Sequence, residues 1–99
     1  MLGQLAMSEI TLQHLQDRAH RSLLMFLKTE LELGMTFADI AKREREGGNV
    51  KHYEKNKAAA LKALETIERF KERLPYATAR REIEPRSLKL AEALSTLVT

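Results

Sequence analysis

The chain has no cysteine and no tryptophan, and only two prolines and four glycines among 99 residues. Without cysteine there is no disulfide, no zinc–thiolate site and no thiol nucleophile, which fits a cytoplasmic setting. No apolar run approaches the roughly 20 residues needed to cross a bilayer. The opening "MLGQLAMSE" has no basic stretch ahead of its apolar residues, so it does not read as a signal peptide. With so few prolines and glycines, little interrupts regular structure. Leu, Ala, Glu, Lys and Arg dominate instead, and all of them favour helix. The expectation is one all-α domain covering residues 1–99, with no cofactor and no membrane span. A net charge of +3 is too mild to imply nucleic acid by itself.

Three of the four glycines fall in "ELELGMTFADIAKREREGGN", Glu30 to Asn49. At about 100° per residue, Leu12, Leu15, Ala19, Leu23, Phe26, Leu27, Leu33, Phe37, Ala38, Ile40 and Ala41 share one wide face. Arg18, Arg21, Lys28, Glu32, Asp39 and Arg43 lie opposite. The phase does not jump at Gly34, so Gly34 is placed inside a helix of about 9–46, capped by Ser8. The alternative is two helices meeting at Gly34. Gly47-Gly48 closes a charged run and precedes Asn49, which can cap the next helix. This predicts an αα-hairpin turn and a second helix over about 50–74, stopped by Pro75.

Tyr53, Ala60, Ala63, Leu64, Ile67, Phe70 and Leu74 share a narrower, alanine-rich face on that second helix. "PYATARREIEPR", 75–86, reads as a linker bounded by prolines, and "SLKLAEALSTLVT" as a short third helix of about 87–97. The fold expected is therefore a long antiparallel helical hairpin with a short third C-terminal helix. Folded back at the glycines, the second helix reaches only to about Met25. Leu12, Leu15, Ala19 and Leu23 then need a cover, either the third helix packed across the open end or a second copy of the chain. The first helix carries Leu24 and Leu31 on one flank and Leu15, Leu33 and Ile40 on the other. One narrow partner does not cover both, so a homodimer is expected.

The stretch "FADIAKREREGGNVKHYEKNKAAALKALE", residues 37–65, resembles a tetratricopeptide-type helical hairpin. Ala41 takes the place of a small residue in the first helix, Gly48 the turn glycine, and Ala60-Leu61 the late Ala-Leu pair. Tyr53 stands where the family has a small residue, and no proline closes the second helix near Glu65. The resemblance implies a hairpin and a protein-binding role, and it identifies no binding residues.

Two features carry possible chemistry. Lys51, Lys55, Lys62, Arg69 and Arg73 form a line along one side of the second helix. Between Val50 and Leu74 stand seven Lys and Arg against four acids, an imbalance equal to the whole net charge. A solvated helix back accounts for this; a surface for nucleic acid or an acidic partner is the sharper reading, weakened by the acids beside the line. Glu30 points into the apolar face, where an unpaired carboxylate is costly. A salt bridge with Lys62, Arg69, Lys71 or a second subunit is expected. His14, Asp17 and His20 have metal-ligand chemistry but span too much of the helix to meet one ion, and His52 reads as a surface residue near the turn. No serine has a base partner in view, so no enzyme is expected. The function anticipated is a non-enzymatic protein–protein interaction or scaffold module, with nucleic-acid binding through the basic line as the alternative.

Overall fold

The computed structural model describes the chain from Leu2 to Val98, with side chains described for 11–97. Helix α1 runs over Leu2–Glu46, α2 over Val50–Phe70 and α3 over Ala77–Val98, with a 3-10 turn at Lys71–Arg73. Among the described residues there is no strand, and the all-α hairpin with a third helix is what the structure has. α1 passes through Gly34 without a break. It also starts earlier than expected: Ser8 lies inside the helix rather than capping it, since nothing between Gln4 and Glu46 apart from Gly34 disfavours helix.

The turn follows from its glycines. Gly48 has φ of +79°, a left-handed conformation that costs an L side chain roughly 1–2 kcal/mol. The Gly48 N–H donates to the Arg45 carbonyl at 3.2 Å and the Asn49 N–H to the Glu44 carbonyl at 2.9 Å. These two bonds satisfy carbonyls that the end of α1 would leave open. The Asn49 carboxamide oxygen then accepts from the His52 N–H at 3.2 Å, starting α2.

The third helix departs from expectation in extent and in placement. It begins at Ala77, not after the linker assigned to 75–86, and carries Pro85 inside it. A proline there removes one backbone hydrogen bond, at a cost of about 3 kcal/mol. Pro85 is exposed, and so is Arg81, whose carbonyl loses its donor; water can serve it. On the other side Ile83, Ser87, Leu90, Leu94 and Leu97 are buried. Fully burying one aliphatic side chain is worth about 1.5–3 kcal/mol, so that seam outweighs the lost bond. α3 does not lie across the open end. It starts there and runs back beside the hairpin, antiparallel to α2. Lys28 Nζ meets Glu82 at 2.8 Å. Further along, the Tyr53 hydroxyl donates to the Leu97 carbonyl at 2.6 Å and Arg45 Nη1 to the same oxygen at 3.1 Å. The result is an up-down-up bundle from which the start of α1 projects; with that projection the molecule is 70 Å long and 21 Å by 15 Å across.

The core is lined by alanines near the hairpin turn and by larger side chains elsewhere. Leu27, Leu31, Ala38 and Ala41 of α1 pack with Ala60 and Ile67 of α2 and Ile83, Leu90, Leu94 and Leu97 of α3. Leu31, assigned to a flank, is 1% exposed, whereas Leu12 and Leu15 are 58% and 56% exposed. A methyl group on Gly34 would stand 2.7 Å from Leu90 Cδ2 and 3.2 Å from Ala63 Cβ. Gly34 is where all three helices come closest. Gly34→Ala should therefore lower unfolding free energy by about 1–2 kcal/mol through overpacking, read by chemical denaturation. A helical glycine facing open space would instead gain up to about 1 kcal/mol from the same change, so the sign of the effect decides.

Candidate interaction surface

The wide apolar face of α1 is only partly used. At about 100° per residue it spans some 200° from Ile40 to Leu24. Its inner half, Leu27, Leu31, Gly34, Ala38 and Ala41, is buried against α2 and α3. Its outer half is left over. Leu12, Leu15, Phe26 and Leu33 are 58%, 56%, 43% and 44% exposed, Ala19 is exposed, and Phe37 and Ile40 are half-buried. This stripe borders α2 along a groove of about 330 Å³ lined by Phe26, Glu30, Leu33 and Phe37 on one side and Ala59, Lys62, Ala63 and Thr66 on the other. The alanines keep the α2 wall low. At one end of the groove Phe26 meets Phe70 edge-to-face, with centroids 6.3 Å apart, and Arg73 stacks over Phe70 at 4.8 Å.

Glu30 lies in this groove, half-buried. The salt bridge expected for it within the chain is not formed. Among the described residues no cation stands within ion-pair distance of it; Lys71, one of the proposed partners, pairs with Glu68 at 2.8 Å instead. The groove is open enough to hydrate one carboxylate, which removes the need for a partner inside the subunit.

The basic line is where the spacing put it. Lys51, Lys55, Lys62 and Arg69 are exposed on α2 and Arg73 is exposed in the 3-10 turn that follows it, and none forms an ion pair among the described residues. Of the four acids beside the line, Glu54 pairs with Lys57 at 3.5 Å and Glu68 with Lys71 at 2.8 Å, while Glu65 and Glu72 form no ion pair among the described residues. One member of the line, Lys62, also lines the groove, so the line and the groove meet there. Sequence reasoning separated these two features because it considered each helix alone. Their adjacency arises only when α2 is laid against α1.

His14, Asp17 and His20 do not converge, and no group of three metal-ligating side chains occurs among the described residues. His20 and Asp17 instead line a hollow at the open end with Leu24, Leu74 and Tyr76, where the His20 and Tyr76 rings meet edge-to-face at 6.0 Å. His52 is exposed. No described helix is long and apolar enough to cross a membrane. Searches against protein-family models, curated proteins and solved structures find no match.

An unpaired, half-hydrated Glu30 has a direct consequence. Glu30→Leu should leave unfolding free energy unchanged or raise it by up to about 1 kcal/mol, measured by denaturant titration at low protein concentration. A loss of about 3 kcal/mol, the penalty for breaking a buried ion pair, would mean that the carboxylate is held by a cation after all.

Proposed function

We propose that the protein is a non-enzymatic interaction or scaffold module that acts as a homodimer, in a cytoplasmic setting consistent with its lack of cysteine. The observation that carries this reading is the leftover stripe on α1. Single exposed leucines are ordinary on a protein surface. Several of them with Phe26 along one side of a helix, beside a groove floored by alanine, are the pattern of a surface that meets a partner. Lys62 stands exposed at the edge of the groove, as cations do at the polar rim of a protein interface, and Glu30 is the one charged side chain of α1 among the groove's lining residues. The resemblance of residues 37–65 to a tetratricopeptide hairpin points toward protein binding too.

A second reading rests on the five cations of α2 and the turn after it, which form no ion pair among the described residues. As a row of exposed charges about 33 Å long at helical rise, they suit phosphates or an acidic partner. Labelled DNA or RNA titrated at two salt concentrations tests it. Binding should weaken steeply with salt and drop when Lys55 and Lys62 are changed to Glu. Binding that survives both changes removes the surface from consideration.

For the first reading, light scattering at micromolar concentration should give a mass near twice 11.3 kDa. Leu15→Glu and Leu33→Glu should return it to the single-chain mass with helicity kept, because both positions are solvent-facing within one subunit. A wild-type mass of 11.3 kDa removes self-association.

A further inference from the structure

The leftover stripe reads the same in both directions. Counting outward from Phe26 towards the start of the chain, Ser22, Ala19, Leu15 and Leu12 follow at steps of 4, 3, 4 and 3 residues. Counting the other way, Glu30, Leu33, Phe37 and Ile40 follow at the same steps. The two polar members, Ser22 and Glu30, occupy equivalent places on either side of the centre. We propose that two copies of the chain pack α1 against α1 antiparallel, about a two-fold axis at Phe26. This rests on the homodimer reading above and deepens it by fixing the register.

A two-fold interface requires that if one residue meets a second, the second meets the first in return. About Phe26 this condition holds at every position of the stripe. Leu15 of one copy falls on the partner's Phe37, Ala19 on the partner's Leu33, and Leu12 on the partner's Ile40. Ser22 falls on the partner's Glu30, so the Ser22 hydroxyl can donate to the carboxylate that has no cation partner among the described residues. A parallel arrangement in register fails here: it sets Glu30 against Glu30, two like charges in a partly desolvated seam.

The antiparallel arrangement also covers what the single chain leaves bare. The projecting start of α1 carries Leu12 and Leu15 into water with no neighbour. Helix segments of this kind gain most of their stability from packing. In the proposed dimer each projecting arm lies along the partner's groove, where Ala59 and Ala63 leave room for it. From Leu12 to Ile40 the stripe is about 42 Å long at helical rise. With a width of one helix and half the next, each copy buries roughly 600–800 Å², close to the ≈ 800 Å² per partner of a stable interface. The Phe26–Phe70 pair meets its own copy at the axis, giving an aromatic centre of the kind that dominates interface energetics.

The absence of native cysteine makes the register directly readable. Ser22→Cys and Glu30→Cys are mixed, oxidised and analysed by non-reducing mass spectrometry; Leu15→Cys and Phe37→Cys form a second pair, with circular dichroism confirming the helices. Leu88→Cys, exposed on α3, sets the background for random collision. The result expected is a mixed disulfide of about twice 11.3 kDa from each pair and no self-disulfide from any of the four alone. In this register each of those residues stands about 12 Å or more from its own copy along the axis, beyond the reach of a disulfide. Self-disulfides at Ser22→Cys and Glu30→Cys indicate a parallel register and overturn the inference while leaving the homodimer intact. Linkage no greater than that of Leu88→Cys, in a protein whose wild type has the dimer mass, places the interface elsewhere and overturns it too. A monomeric wild type overturns both the register and the homodimer.

Discussion

The constraint on which the structure depends is geometric: α1 has an apolar face wider than two neighbours can cover. A helix packed at 8–10 Å shields a limited arc of its partner. α2 and α3 sit on adjacent sides of α1, and Gly34 is where they converge. With no side chain there, Leu90 of α3 and Ala63 of α2 close down on the α1 backbone. Ala38, Ala41 and Ala60 extend the close seam of the hairpin towards its turn. The tightness brings the two partners to one half of the face, and the other half stays bare. The core of the subunit and its candidate interface are thus two halves of one sequence pattern.

Much of the fold was legible because it is written in local chemistry. Gly47-Gly48-Asn49 specifies a chain reversal with little help from tertiary contacts, since a left-handed residue followed by a helix cap has few alternatives. The continuity of α1 through Gly34 followed from an unbroken apolar phase. The start of α3 was not legible in the same way. Two prolines within eleven residues read as a linker, and the stripe that overrides the second of them is disguised by Ser87. Ser87 is buried and satisfied by the Glu84 carbonyl at 3.1 Å. The spacing Ile83, Ser87, Leu90, Leu94, Leu97 carries the signal once a small polar residue is allowed at a core position.

The candidate surface was harder to read for a different reason. Periodicity locates an apolar face but does not say which part of it turns inward, because that depends on where the other helices dock. Leu31 and Leu15 stood on opposite flanks of one face, and nothing in the local sequence ranks them. The structure buries the first and exposes the second. For Glu30 the direction was right, and of the salt bridges expected the one within the chain is not formed among the described residues. Its position on the apolar face is real, but that face opens there into a groove, so the carboxylate meets water rather than an internal cation.

The two readings of the surface are linked through the position of Phe70. Its contact with Phe26 sets the end of α2 at the proposed axis, so in an antiparallel dimer the two α2 helices run away from the centre in opposite directions. A two-fold rotation that faces α1 against α1 keeps both α2 helices on the same side of the pair. The rows from Lys51 to Arg73 would then lie end to end, joined at Arg73, doubling the length of basic surface that one subunit offers. Counterion release grows with the number of phosphates contacted, so such a row would gain far more than twofold in affinity from dimerisation. In the proposed dimer, burial of the apolar stripe would therefore assemble the longer basic row that a phosphate-bearing partner would need.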